Sequence, residues 1–486
     1  MDPGNALIGF GFGFYYSGWR MEDPDPCGFE RVGVCLPRAT IKSASVRILP
    51  PFAWKWSRIS SNHRFSTPIS GSAPPKSFLL RRFADHDLLS SSSSSSLYAL
   101  LARSFSCNGL QVRARIEVAV LNFLKNLTAS NPAISDLPLI SRKYDNSGLR
   151  HGLLSDVSSV FLSHSVCTRS LMRANDAKAF VRVWMVMAMC FRILVQGKLA
   201  TQRELFYKLL CDAPEYFRSQ RQVNRTVQDV VALLRCTRHS LGIMASSRGA
   251  VIGRMVLEIL LPWESTYRTT KDFENISTEP GEQIVDCSMI GHAGYAITGD
   301  LCTLSKLVLH SDARYIIIIE KDAIFQRLAE DHFFNQIPCI LITSKGYPDI
   351  ATRFLLHRIS QTFPDMTILA LMDWNPAGLA ILCTYKFGSI TTGLESYRYA
   401  CNVKWLGLRA DDLQIIPQQV MMQLKPHEIK TAKSLMSSKL LQERYQAELS
   451  LMVERGHRAE IEALYCHGFD FLGKYIAKKI VQADYI

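Results

Sequence analysis

Two carboxylates stand where buried strands would end. Glu320 closes Arg314-Tyr-Ile-Ile-Ile-Ile-Glu320, and Asp373 closes the apolar part of Met366-Thr-Ile-Leu-Ala-Leu-Met-Asp373-Trp-Asn375-Pro-Ala-Gly378. Each run is continuous, apolar and too short for a long helix, which is the pattern of a strand covered on both faces of a parallel sheet. Parallel strands deliver the residues after them to one common edge, and in open α/β sheets ligands bind at that edge. Two acidic side chains brought there make a hard-cation site, with Mg2+ the simplest occupant. The competing reading is that each carboxylate only caps the helix after its strand.

A second constellation lies upstream. Tyr207 falls one helical turn after Arg203, so both side chains share a face. A tyrosine hydroxyl with a reference pKa of ~10 is a weak nucleophile, and a fixed guanidinium nearby favours the phenolate while clamping a phosphate. The bland account is a packing tyrosine in a half-apolar helix. The stretch Thr343-Ser-Lys-Gly-Tyr-Pro-Asp349 leaves one strand and precedes a helix, which places Lys345 and Gly346 at the same edge as the carboxylates. They could hold a phosphate or merely turn the chain. Arg353, at the head of the next helix, is a further phosphate contact or a surface ion pair. No Gly-rich loop ends in Lys-Ser or Lys-Thr, so ATP use by this chain itself is not expected.

The elements that position these residues begin near Gln111, where Val112, Ile116, Val120, Leu124 and Leu127 recur at helical spacing. Asp176 to Gln196 is a nearly all-apolar core helix ended by Gly197. Thr201 and Glu204 form a capping box for the helix carrying Tyr207, and Pro214 stops it. After a turn, Val223, Val227, Val230, Val231 and Leu234 make one apolar face, while Asn224, Arg225, Gln228, Arg235 and Arg238 crowd the rest. Two short β-prone runs follow, Leu241 to Ala245 and Ala250 to Ile252. Helix, turn, basic helix and hairpin predict a winged helix-turn-helix with Asn224, Arg225, Gln228 and Arg235 facing DNA. An amphipathic core helix with a solvated basic face is the alternative. From Val285, strands and helices alternate as in a parallel α/β sheet.

Composition sets the outer limits. The chain has 486 residues, 48% of them hydrophobic and 20% charged, enough for two or three globular domains. A net charge of +13 favours a polyanionic partner, double-stranded DNA before a membrane. No run approaches the ~20 apolar residues of a membrane span. The 13 cysteines include no Cys-x-x-Cys pair and read as reduced, buried thiols of a nuclear or cytosolic protein. Residues 1–108, rich in Pro and Gly and with a serine tract from Ser90 to Ser96, read as a disordered leader; Arg38 to Phe83 also has the composition of a transit peptide. The winged-helix domain is then expected over 109–284 and the α/β domain over 285–486.

The ordered series Arg203-Glu-Leu-Phe-Tyr207, Ile-Glu320-Lys, Lys345-Gly-Tyr-Pro-Asp349, Thr-Arg353-Phe and Asp373-x-Asn375-Pro-x-Gly378 resembles the topoisomerase VI A-subunit family. Its eukaryotic members include proteins that make meiotic double-strand breaks. The resemblance runs from about residue 110 to the end. It implies that Tyr207 is the nucleophile, forming a 5′-phosphotyrosyl link, that Arg203 pairs with the phosphate, and that a Toprim-like sheet domain holds Mg2+ through Glu320 and Asp373. It also implies a nuclear, type IIB topoisomerase-like enzyme that works on double-stranded DNA as a dimer, with itself or a paralogous A-type subunit, in an ATP-hydrolysing complex with a topoisomerase VI B-like subunit. Two departures bear on this. Asn375 stands where the family often has a second Asp and would hold a second cation less strongly, so one Mg2+ is expected. Roughly Val256 to Thr278 reads as an insertion. A non-cleaving DNA-binding scaffold and a water-using Toprim hydrolase are the other readings.

Overall fold

The computed structural model describes residues 108–131, 133–151, 157–260, 282–438 and 441–486, all within one compact unit, Ser93–Ile486. Except for Asn108, the expected leader lies outside the described residues, as does the expected insertion beyond Leu260. Among the described residues no helix is long and apolar enough to cross a membrane.

The first core is helical. Helix α1 (Gly109–Leu127) starts at a reciprocal capping box between Asn108 and Gln111 and buries Val112 and Ile116. Strands β1 (Leu137–Ile140) and β4 (Val166–Arg169) pair antiparallel, enclosing a second antiparallel pair, β2 (Ser147–His151) with β3 (Ser158–Leu162). Helix α2 (Ala174–Val195) buries Phe180, Val183, Val186 and Met187. Helices α3 (Gln202–Asp212) and α4 (Gln220–Leu234) close the bundle, with Leu205 and Leu209 of α3 meeting Val223, Val227 and Val230 of α4. The chain leaves α4 through Arg235 in a left-handed conformation at φ 49°.

The second core is a sheet. In chain order its elements are β5 (Ala250–Gly253), β6 (Val256–Leu260), β7 (Glu282–Asp286), β8 (Tyr295–Ala296), β9 (Val308–His310), β10 (Tyr315–Ile319), α5 (Asp322–Glu330), β11 (Cys339–Thr343), α6 (Ile350–Thr362), β12 (Thr367–Leu371), α7 (Pro376–Phe387) and β13 (Val403–Trp405). The main sheet has six strands in the order β13-β12-β10-β11-β5-β8. Its first four are parallel, as the alternation predicts. Ile316 to Ile319 are at most 1% exposed, so β10 is sealed on both faces.

Three expectations change here. The run Leu241 to Ala245 is no hairpin strand: His239–Leu241 is a 3-10 turn, and Ile243 makes only an isolated bridge with Ala200. Its intended partner β5 instead pairs antiparallel with β11 and β8. A short apolar run carries no record of which strand it will meet, and here the partner lies downstream. Consequently the expected boundary at 284/285 does not separate two hydrogen-bonded units. Finally, Val256–Leu260, expected to begin an insertion, is the central strand of a three-stranded antiparallel sheet between β7 and β9.

Candidate active site

Strands β10 and β12 run side by side in register, with Ile319 opposite Leu371, so the residues following them emerge together. Glu320 and Asp373 therefore meet: the Asp373 N–H donates to Glu320 Oε2 at 3.3 Å. Neither carboxylate caps a helix. Lys321 is the N-cap of α5 and makes no side-chain cap bond, and the N-cap of α7 is Asn375. Burial, and then the charge of Asp373, push the Glu320 carboxyl up to about 8. Burial also raises Asp373, against the Lys321 ammonium and the Ile461 N–H, which favour its anion. Two neighbouring acids that resist ionising together are the chemistry a hard cation relieves.

The surroundings fix this pair closely. Gly378, in the first turn of α7, leaves room that a side chain would fill: a Cβ there would sit 2.8 Å from the Asp373 carbonyl and 3.2 Å from Glu320 Oε2. Asn375 Oδ1 accepts from the Gly378 N–H at 2.7 Å, and its Nδ2 donates to Asp373 Oδ2 at 3.3 Å. The capping account thus holds for Asn375, whose amide orients Asp373. Asp373 Oδ1 accepts from the Ile461 N–H at 2.9 Å. Among the described residues no group of three His, Cys, Asp or Glu is placed to hold a metal ion by itself. A pair of carboxylates suits Mg2+, which usually keeps several waters and takes one or two carboxylates plus substrate phosphates.

Lys321, Glu460 and Glu462 complete the edge, and sequence reading missed all three. Lys321 Nζ lies 3.1 Å from Asp373 Oδ2 and 3.1 Å from Glu460 Oε2, and hydrogen-bonds Glu462. Burial alone would lower the Lys321 pKa, but Asp373, Glu462 and Glu460 outweigh it and hold the ammonium above its ordinary value. Its position directly after Glu320 was the one available signal.

The loop after β11 arrives at this edge as predicted. The Gly346 N–H donates to the Glu320 carbonyl at 2.8 Å, and Lys345 Nζ reaches Asp322 at 3.3 Å. Lys345 (φ 54°) and Gly346 (φ 105°) both take left-handed backbone, a conformation easy for glycine and costly for lysine. Asp349 caps α6, accepting from the Thr352 N–H at 3.0 Å. Arg353 departs from expectation: at 4% exposure it is neither a surface ion pair nor an open phosphate contact. Its guanidinium stacks on Tyr399, 5.3 Å from the ring centroid, and Nε and Nη1 find no hydrogen-bond partner among the described residues. The inward face of α6 claims it.

Tyr207 belongs to the helical core. The predicted capping box is present, with the Glu204 N–H donating to Thr201 Oγ1 at 3.1 Å and the Thr201 N–H to Glu204 Oε2 at 2.6 Å. Leu205 and Leu209 face inward, which turns Arg203 and Tyr207 outward. Tyr207 is 51% exposed, and Arg203 Cζ lies 5.9 Å from its ring centroid. Gln220 Nε2 donates to the Gln202 carbonyl at 2.9 Å, tying the start of α4 to the start of α3. Arg225 on α4 and Arg235 at its C-cap are exposed, whereas Asn224 and Gln228 are partly buried, and Asn224 Oδ1 accepts from Gln220. The exposed stripe is narrower than its periodicity implied because β1, α2 and α3 all pack on α4. Arg238 lies past the helix end, partly buried near Glu395. Cysteines are free where described, but Cys211, Cys302 and Cys466 are exposed, against the expectation of buried thiols.

Residues 315–480, which include both carboxylates, match the family model for the Toprim domain of the topoisomerase 6 A-subunit/Spo11 proteins. Residues 178–243, which include Tyr207, match the one described as type IIB DNA topoisomerase. The chain is also 67% identical over 378 residues to meiotic recombination protein SPO11-2 of Oryza sativa subsp. indica, covering 77% of this chain and 93% of that relative. The chain belongs to the topoisomerase 6 A-subunit/Spo11 family. Within it, identity to SPO11-2 of Arabidopsis thaliana is 63% over 376 residues, with 77% of this chain and 93% of the relative covered. The DNA topoisomerase 6 A-subunit of Arabidopsis thaliana is 29% identical over 381 residues, covering 77% and 81%. Toprim domains are generally Mg2+-binding, and meiotic recombination proteins acting on chromosomal DNA are generally nuclear.

Proposed function

We propose that this chain is a type IIB topoisomerase-like transesterase that makes meiotic DNA double-strand breaks in the nucleus. The observation that carries the reading is Tyr207: a tyrosine turned outward by a capped helix, beside Arg203, within the segment that matches type IIB DNA topoisomerases. In the reaction the Tyr207 oxygen attacks a backbone phosphorus as its proton is lost. The bond to the 3′ oxygen breaks, and that oxygen leaves as a 3′-hydroxyl. No water is consumed, and the 5′ end stays on the protein as a phosphotyrosine. Arg203 pairs with the phosphate, making charge-assisted hydrogen bonds.

Glu320 and Asp373 are the residues that would hold Mg2+, which supplies positive charge at the scissile phosphate and the leaving oxygen when bound. Asn375 contributes by orienting Asp373. Exposed Arg225 on α4 and Arg235 at its C-cap contact DNA phosphates, with Asn224 and Gln228 beside them and Lys345 at the sheet edge. The helical core serves as a winged helix-turn-helix, with the β1–β4 pair replacing the hairpin expected after α4. Tyr207 and the carboxylates are anchored in different hydrophobic cores, which suits a dimer, with itself or a paralogous A-type subunit, where the tyrosine of one protomer meets the acidic edge of the other. An ATP-binding B-type subunit completes the complex.

The test is recovery of covalent protein–DNA adducts from meiotic cells expressing this chain or its Tyr207→Phe form. A phosphotyrosine at Tyr207, lost in the variant by on the order of 10^4-fold or more, is the expected result. Breaks without an adduct on this chain would make it a non-cleaving scaffold. Breaks that persist unchanged in Tyr207→Phe would favour hydrolysis by water.

A further inference from the structure

Lys321 has no part in the reaction described above, yet the acidic side chains of the sheet edge converge on its ammonium. Asp373 Oδ2 and Glu460 Oε2 each lie 3.1 Å from Nζ, and Glu462 hydrogen-bonds it. These acids come from distant parts of the sequence. The bridge between Trp374 and Ala459, with N–H to carbonyl distances of 3.0 and 3.1 Å, lays the segment holding Glu460 and Glu462 against the end of β12. An ammonium has three donors and no acceptor, which matches three carboxylates. Without it, the like charges of the three carboxylates gathered round one point would repel one another.

Asp373 has little capacity left for a second ion. Its Oδ1 accepts from the Ile461 N–H, and its Oδ2 already takes both Lys321 and Asn375 Nδ2. Asn375, the neutral residue in the second position of the motif, turns its oxygen to the Gly378 N–H. We propose that Lys321 is a built-in cation that takes the place of a second metal ion at this edge, so that the site holds one Mg2+ and carries its other positive charge on a side chain. The inference rests on the Mg2+ reading of Glu320 and Asp373. It adds a role for Lys321, Glu460 and Glu462 that the motif residues do not supply. Lys321 acts through Asp373 and is a positioning residue.

Counting bound Mn2+ on the purified full chain, from the loss of the free-ion paramagnetic resonance signal, tests it. The expected counts are one ion per chain for the wild type, two for Lys321→Met, and one for Lys321→Arg, which keeps the charge. Lys321→Gln, which retains a donor, serves if the Met form fails to fold, and should also bind two. A single ion in the folded Met or Gln form overturns the proposal, as do two ions in the wild type. No ion in the wild type is a different failure, that of the Mg2+ reading itself.

Discussion

Tyr207 stands half-exposed on a helix held by a capping box and two inward leucines, whereas Asp373 is 3% exposed and wired to Ile461, Asn375 and Lys321. The proposed nucleophile keeps few constraints on its reactive end. The acidic pair has almost none of its geometry left free. The contrast fits a division of labour in which the electrostatic half is organised in advance and the nucleophilic half moves to meet it. Preorganised charge costs no rearrangement at the moment of reaction, while a tyrosine that must reach a phosphate on a separate body cannot be packed into its own core.

The comparison can be broken most severely at Glu320. Glu320→Gln removes one acid while keeping the shape, and cleavage should fall by roughly 10^2–10^3-fold, read as covalent adduct at saturating Mg2+. The same variant has an opposite effect on stability. Because burial and Asp373 raise the Glu320 pKa from 4.5 to about 8, the native state keeps a proton that the unfolded chain has already released between those values. That contribution to stability is present at low pH and is lost as pH rises through the window. In EDTA the wild-type melting temperature should therefore decline between pH 5 and pH 8.5 relative to Glu320→Gln. Parallel curves would show that the carboxyl is not held protonated.

Gly378→Ala is the next largest expected effect on stability. The new methyl would meet the Asp373 carbonyl and Glu320, and overpacking of this kind costs about 1–3 kcal/mol. It should weaken Mn2+ binding and leave Tyr207 accessible to chemical nitration. Thr201→Ala is the smallest and the mirror image. Loss of the cap should destabilise by about 1 kcal/mol, reduce adduct formation modestly, and leave Mn2+ binding unchanged. If the two variants impair both readouts equally, the two halves are not separately organised.

Much of this was legible in the sequence. The four-isoleucine run reads as a strand buried on both faces, and the capping box announced the Tyr207 helix to within a residue or two. Glu320 and Asp373 were found because parallel strands put their ends on one edge. Local patterns failed where partners are distant. Glu460 and Glu462 are separated from Lys321 by 139 and 141 residues, and nothing in their neighbourhood marks them. Arg353 looked like a surface residue because charge is usually solvated, but packing against Tyr399 decided otherwise. Strand β5 was recognised as a strand and assigned the wrong neighbour, since β-propensity says nothing about pairing.

That neighbour has a consequence for how the molecule comes into being. Strand β5 is synthesised well before β11, and pairing with it closes a long stretch of intervening chain, an entropic cost that must be met before the contact is rewarded. Until then β11 offers a bare, mostly apolar edge, the kind that recruits strands from other molecules. The sheet that carries the acidic pair is therefore a late-maturing, aggregation-exposed part of the chain. Residues 285–486, made without the upstream strand, would inherit that open edge permanently.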